Sequence, residues 1–184
     1  RYRVLAAVQY LKTYHSMGIR NCGLVLLLSV VSFLANKECA AQKIDSLKYE
    51  NGYLYYHVYG TKNLPAVILL TGGPGNSYKQ LDAMAMVLSS NFRCIIPEQR
   101  GTGKSIPNPF DSTTISVNLI TRDIKSMMNS LSLSKVIIIG HSWGGALAMN
   151  FAALFPERVE HLVLIAPGPH KDVKKGFEVL SANR

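Results

Sequence analysis

One serine of the sequence has neighbours that could make it a nucleophile. Ser142 lies in GHSWGG, residues 140–145, and has a glycine two positions away on each side. A serine hydroxyl is a poor nucleophile at neutral pH unless a base accepts its proton. Acyl chemistry at Ser142 would therefore need a turn that exposes the hydroxyl, a histidine with a carboxylate, and N–H donors for the oxyanion.

The segments that flank Ser142 predict such a turn. KVIIIG (135–140) is typical of a buried strand, and GGALAMNFAALFP (144–156) is typical of a helix. The pattern G-x-S-x-G between a strand and a helix indicates a nucleophile elbow, in which the serine backbone is strained. Gly140 and Gly144 would let the two elements pass without a Cβ clash, and the positive end of the helix dipole would favour developing negative charge.

A second glycine-rich loop offers donors for the oxyanion. TGGPG (71–75) follows PAVILLT (65–71), an apolar run that predicts a strand buried on both faces. An oxyanion hole needs two N–H donors. We expect them to be the backbone N–H groups of Gly73 in this loop and of Trp143 directly after the nucleophile.

The rest of the chain predicts an α/β fold. Asn51-Gly52 indicates a β-hairpin over 48–60, and Ser116 is a candidate helix N-cap. After the hairpin, strands at 65–71, 92–97, 135–140 and 161–167 alternate with helices at 78–90, 116–131 and 144–156. This alternation predicts a mostly parallel sheet with helices on both faces.

A loop that resembles a phosphate-binding motif lacks its first glycine. RGTGKS (100–105) would need Gly at position 98, where the chain has Glu98. Pro107 and Pro109 also prevent a helix from starting at once. The sequence instead predicts a tight turn in which Glu98 and Arg100 fix the loop near the site.

Charge and cysteine content argue against a nucleic-acid-binding protein and against a protein stabilised by disulfides. The formal net charge is +9, but from residue 42 onward 15 basic residues face 10 acidic ones without a dense basic run. No nucleic-acid partner is expected from that pattern. Cys22 and Cys39 fall in the leader described below, so Cys94 is expected to be a lone, buried thiol without a disulfide.

The N-terminal segment has the three parts of a secretory signal peptide. MGIRN (17–21) is positively charged, residues 22–35 are apolar without a charge, and small residues precede a cleavage site before Gln42. We expect a secreted or periplasmic protein without a stable membrane anchor, the alternative being an uncleaved anchor. Residues 1–16 are interpreted as translated upstream sequence.

Three motifs, in this order and at this spacing, resemble the α/β-hydrolase superfamily: GGPG at 72–75, PEQRGTGKS at 97–105 and GHSWGG at 140–145. They look closest to its proline iminopeptidases, the S33-type serine aminopeptidases. That family shows H-G-G-P-G, D-Q-R-G-x-G-x-S and G-x-S-W-G. This chain differs at Thr71, where the family has His, at Glu98, where it has Asp, and at His141 before the serine.

The resemblance implies eight strands, a helical lid after the sixth, and a Ser–Asp–His triad whose acid and base follow strands seven and eight. The sequence predicts only six strands, the last at 161–167. We therefore expect the chain to be the N-terminal part of a longer α/β-hydrolase domain, spanning residues 42–184 after a signal peptide at 17–41. A sixth strand left at the sheet edge would pair readily with other chains.

The chain's own histidines and nearby carboxylates do not occupy the family's positions for base and acid. The histidines are His15, His57, His141, His161 and His170. His141 adjoins Ser142, so its side chain should diverge from the nucleophile, and His57 should be a surface or packing residue. Three carboxylates, Glu157, Glu160 and Asp172, are interpreted as solvated loop charges.

The functional expectation is a serine hydrolase that forms an acyl-enzyme at Ser142, with no cofactor or metal. The resemblance implies an aminopeptidase that releases N-terminal proline or a similar residue from small peptides. The alternatives are a carboxylesterase or lactonase with the same machinery, and an inert truncated fragment or binding module. Epoxide hydrolases and dehalogenases of this fold are disfavoured because those relatives carry Asp at the elbow. The oligomeric state stays open.

Overall fold

The computed structural model describes residues 42–168. The predicted signal peptide, the upstream segment, His15, His170 and Asp172 lie outside these residues. No helix between residues 42 and 168 is long and apolar enough to cross a bilayer.

Strands and helices alternate after an N-terminal hairpin, as predicted. The strands are β1 (Lys43–Tyr49), β2 (Gly52–Tyr59), β3 (Ala66–Leu70), β4 (Arg93–Pro97), β5 (Val136–His141) and β6 (Val159–Ile165). The helices are α1 (Lys79–Leu88), α2 (Val117–Ser130) and α3 (Trp143–Leu154), with a 3₁₀ turn at Pro156–Arg158. The bounds lie within two residues of those predicted, except that β1 begins five residues before the predicted hairpin.

All six strands form one sheet in the order β1-β2-β4-β3-β5-β6. β3 pairs parallel with β4 and with β5, and β5 pairs parallel with β6. The hairpin joins the sheet antiparallel, through β2 against β4. The predicted fold class, a mostly parallel sheet covered by helices, is confirmed. The parallel order brings the ends of β3, β4 and β5 together at one edge, where ligands bind in open α/β sheets.

The hairpin turn is displaced by one residue from its predicted place. Tyr49 pairs with Gly52, so the two turn residues are Glu50 and Asn51. Gly52 is the first residue of β2 rather than part of the turn.

Two apolar clusters cover the two faces of the sheet. One packs β3, β4 and β5 against α2 and α3, with Phe151 and Met127 among its fully buried side chains. The other packs the opposite face against α1 through Leu81 and Ala85. Cys94 is buried in this second cluster, and burial raises the pKa of its thiol to about 11. The thiol therefore stays protonated at neutral pH, and the expected packing role is confirmed.

A buried ion pair fixes α2 to the loop after β4. The Arg100 guanidinium donates two hydrogen bonds to the Asp123 carboxylate, with N···O distances of 2.9 and 2.8 Å. The same guanidinium donates to the Thr114 carbonyl and lies 3.9 Å from the centre of the Tyr49 ring. Burial raises the pKa of Asp123, and the hydrogen bonds and charge of Arg100 oppose that shift. The predicted role of Arg100 in fixing this loop is confirmed.

Asp123→Ala is expected to destabilise the chain strongly. The substitution leaves the Arg100 guanidinium buried without its carboxylate, which costs about 3 to 5 kcal/mol. Chemical denaturation measures the free energy of unfolding, with Glu157→Ala as the control because Glu157 is an exposed carboxylate. Equal stability of the two variants would contradict the assigned role of the pair.

Candidate active site

Ser142 lies at a strained turn between β5 and α3. Its backbone has φ 51° and ψ −115°, a combination that non-glycine residues rarely adopt. Strain of this kind costs about 1 to 3 kcal/mol and persists only where surrounding structure imposes it. The Ser142 N–H donates to the Ile165 carbonyl at 2.9 Å, and the Ser142 carbonyl accepts from the Gly168 N–H at 2.9 Å. The end of β6 thus holds the turn in place.

Glycines on both sides of Ser142 are required by close backbone contacts. A Cβ on Gly140 would lie 2.7 Å from the carbonyl carbon of Gly144. A Cβ on Gly144 would lie 2.5 Å from the carbonyl carbon of Leu70, at the end of β3. Both distances are far shorter than van der Waals contact, so only glycine lets strand, helix and neighbouring strand approach this closely.

The glycine loop after β3 lies directly against the nucleophile turn. A Cβ on Gly72 would lie 2.8 Å from His141 Nδ1 and 3.0 Å from Ser142 Cβ. The Gly72 N–H already donates to Gln80 Oε1 at 2.6 Å. Gly73 has φ +53°, a conformation that favours glycine, and its N–H makes no hydrogen bond to another described residue.

The N-terminus of α3 supplies the other candidate donor. Trp143 is the first residue of the helix, and the first N–H groups of a helix have no intrahelical acceptor. They carry the positive end of the helix dipole, which favours an anion beside Ser142. The positions of Gly73 and Trp143 are compatible with the predicted oxyanion hole, whose role stays a prediction.

Gln99, in the loop after β4, links the loop after β3 to the start of α3. Its Nε2 donates to the carbonyl oxygen of Thr71 at 2.9 Å and contacts the Thr71 hydroxyl at 3.1 Å. Its Oε1 accepts from the indole N–H of Trp143 at 3.1 Å. The buried Gln99 amide therefore holds the loop after β3 against the start of α3. Sequence reasoning missed this role, although Gln99 stands inside the quoted PEQRG motif.

His57 is buried and belongs to a polar network, so the surface alternative for it is wrong and the packing alternative is right. Its Nε2 lies 2.7 Å from Glu98 Oε1, and its ring stacks on Tyr78 with centroids 3.5 Å apart. The second carboxylate oxygen of Glu98 accepts from the Lys104 N–H at 2.5 Å. Burial of these polar groups requires such partners. Glu98 thus fixes the loop that carries Gln99.

The described residues do not complete a catalytic triad. Within 42–168, the Ser142 hydroxyl makes no hydrogen bond to a histidine or a carboxylate. His141 Nδ1 is buried without a hydrogen-bond partner in that range, and His161 is exposed on β6. Glu157 and Glu160 are exposed, as predicted. Over the same residues, no group of three or more His, Cys, Asp or Glu side chains is arranged to hold a metal ion.

A family model described as alpha/beta hydrolase fold matches residues 65–183. The matched segment contains the glycine loop, the loop with Gln99, and the nucleophile turn at Ser142. The chain belongs to the α/β-hydrolase superfamily.

Curated relatives of this α/β-hydrolase carry several activity names. It is 35% identical to a Haemophilus influenzae protein provisionally named an esterase/lipase, over 68% of this chain and 44% of that protein. It is 37% identical to 2-hydroxy-6-oxo-6-phenylhexa-2,4-dienoate hydrolase of Burkholderia cepacia, over 56% of this chain and 36% of the relative. It is 28% identical to epoxide hydrolase 3 of Xenopus tropicalis, over 90% of this chain and 46% of that relative. The chain spans less than half the length of these relatives.

Solved structures show the same fold at lower identity. A proline iminopeptidase-related protein from Thermus thermophilus superposes with a TM-score of 0.62 at 24% identity, over 77% of this chain and 56% of that one. An epoxide hydrolase from Vigna radiata superposes with a TM-score of 0.61 at 21% identity, over 67% of this chain and 39% of that one. Likeness at such identities shows the fold of the α/β-hydrolase alone.

Gly144→Ala is expected to disrupt the nucleophile turn. The added methyl group would enter the carbonyl of Leu70, so the loss of unfolding free energy should reach or exceed the upper end of the roughly 1 to 3 kcal/mol typical of overpacking. Thermal and chemical denaturation measure this loss.

The matched control is Gly168→Ala, where the new Cβ would lie at an ordinary 3.6 Å from Ser142. We expect a change within about 0.5 kcal/mol. If both variants lost the same stability, the close approach of α3 to β3 would not explain the need for glycine.

Proposed function

We propose that this chain carries the nucleophile and oxyanion donors of a serine hydrolase that cleaves carboxylic esters. The observation that supports the proposal is the backbone of Ser142, strained at φ 51° between a parallel strand and a helix. A strained serine at the edge where ligands bind has no evident structural use, because an unstrained turn would join the two elements at less cost.

The proposed reaction follows the acyl-enzyme route. The Ser142 hydroxyl attacks the carbonyl carbon of the ester as a base accepts its proton, and the alcohol leaves. The N–H groups of Gly73 and Trp143 stabilise the oxyanion of both tetrahedral intermediates. Water then attacks the acyl-enzyme and releases the acid. The resemblance places the carboxylate after strand seven and the base after strand eight, beyond the six strands described.

An ester substrate is favoured over an epoxide by the residue at the elbow. Several relatives are named epoxide hydrolases, but the resemblance gives that class an aspartate as the nucleophile. This chain has Ser142 there. A serine forms an ester with an acyl group, which water can hydrolyse with help from a base. The relative named as an esterase/lipase is 35% identical and covers more than two thirds of this chain.

An aminopeptidase is the second candidate function. Its support is the quoted set of motifs, in particular Trp143 after the nucleophile. The departures at Thr71, Glu98 and His141 separate the chain from that pattern. The Thr71 backbone and hydroxyl are both engaged by Gln99, and Glu98 is engaged by His57. The proposed substrate is accordingly a small ester.

The proposed location of the protein is secreted or periplasmic, because the segment at 17–41 has the pattern of a signal peptide.

A fluorophosphonate probe is expected to label the protein produced from the whole open reading frame at Ser142. The probe phosphonylates serines that have an activated hydroxyl and an oxyanion site. Ser142→Ala should abolish labelling, and Ser132→Ala should leave it unchanged, since Ser132 is an exposed serine that also has a positive φ. Peptide mass spectrometry locates the adduct. Labelling of a different serine would refute the assignment of Ser142.

Ester and aminoacyl substrates separate the two candidate functions. We expect p-nitrophenyl butyrate to be hydrolysed with a kcat/KM at least tenfold above that for proline p-nitroanilide, with both activities lost in Ser142→Ala. The reverse ratio would replace the esterase with the aminopeptidase. Retained ester hydrolysis in Ser142→Ala would contradict both.

A further inference from the structure

A cavity lies at the opposite end of the sheet from Ser142. It has a volume of about 330 Å³ and is lined by residues of β1, β2, β4 and the end of α2. Arg93, which opens β4, lines it, whereas Gln99 beside Ser142 follows the other end of that strand. The cavity is therefore separate from the candidate active site.

Arg93 is a buried cation without a counter-ion in the described chain. The residue is 6% exposed, and its Nε is buried without a hydrogen-bond partner. None of the ion pairs among residues 42–168 includes it. The other buried arginine, Arg100, has the Asp123 carboxylate on two of its nitrogens. Burying an unpaired charge is costly, so a cavity beside one is a site at which an anion would be stabilised.

Two lysines add positive charge to the same cavity. Lys43 and Lys62 line it and are exposed, so they lie towards solvent while Arg93 lies at depth. One carboxylate, Asp45, is also present, and Lys43 lies 3.3 Å from it. The hydrogen bond from the Ser46 N–H is the largest influence on Asp45 and lowers its pKa. The two lysines lower this pKa further, against the effect of burial, so the carboxylate is charged at neutral pH. Three cations against one anion leave an excess of two positive charges.

Hydroxyl groups on the cavity wall could complete the coordination of an oxyanion. Tyr56 and Ser46 line the cavity together with Arg93. Ser130 also lines it, but its hydroxyl already donates to the Met127 carbonyl at 2.9 Å. Hydroxyls donate one hydrogen bond each, and a guanidinium donates several in a planar fork that matches the oxygens of phosphate. A dianion would balance the excess charge of the cluster, whereas a monocarboxylate would leave one positive charge unmatched.

We propose that this cavity is a binding site for a small dianion of the phosphate type, either inorganic phosphate or the phosphoryl group of a small phosphomonoester. Arg93 holds two oxygens at the base of the cavity, and Lys62 contacts the anion near solvent. The volume of about 330 Å³ accommodates a phosphoryl group with a short organic substituent. The site is independent of the proposed esterase and of its nucleophile.

Isothermal titration calorimetry of the full chain with inorganic phosphate, at pH 7.5 and constant ionic strength, tests the proposal. We expect saturable binding with one site per chain. Arg93→Met and Lys62→Ala should each weaken it at least tenfold, while Arg122→Met should leave it unchanged because Arg122 is an exposed arginine outside the cavity. Because Lys62 is exposed, its variant keeps the test decisive even if Arg93→Met fails to fold.

Two comparisons identify the ligand class. Glycerol 3-phosphate that binds as tightly as phosphate would indicate a phosphomonoester site, and weaker binding would indicate a phosphate site. Acetate should bind at least tenfold more weakly than inorganic phosphate. Equal binding of acetate, absence of saturable phosphate binding, or unchanged affinity in Lys62→Ala would overturn the proposal.

Discussion

The nucleophile turn depends on one close contact between backbones, the approach of α3 to the end of β3. The Gly144 Cα lies so near the Leu70 carbonyl that no side chain fits between them. β3 and β5 are neighbours in the parallel sheet, so the loops that follow them lie side by side. The contact then sets the glycine loop after β3 against Ser142. Ser142, the single residue between β5 and α3, carries the positive φ of this turn.

Much of this architecture could be predicted from the sequence because its signals are local. The segment of β3 is apolar throughout and that of β4 is apolar after Arg93, and both are buried along their whole length, which predicts central strands. The capping hydroxyl of Ser116, which accepts from the Leu119 N–H at 3.3 Å, marks the start of α2. β1 is less evident because it alternates exposed and half-buried residues as an edge strand, and charged side chains weaken its apolar pattern.

Features that join distant parts of the chain were not predictable in the same way. The Gln99 amide bridges residues 28 positions before it and 44 positions after it, and no local pattern encodes such a bridge. His57 was ambiguous because its burial depends on Glu98, 41 residues away. The cavity at Arg93 arises only when three strands, a loop and a helix end meet. Motifs thus predicted the nucleophile turn, while the network that holds it required the three-dimensional structure.

Trp143 is the only tryptophan of the sequence, and it lies beside the nucleophile with its indole N–H bonded to Gln99. With excitation at wavelengths that tyrosine does not absorb, the emission of the chain therefore comes from the turn at Ser142. Occupancy of that turn by a ligand, or rupture of the indole–amide contact, would change the wavelength and lifetime of that emission. The protein thus contains an intrinsic fluorescent reporter directly beside Ser142.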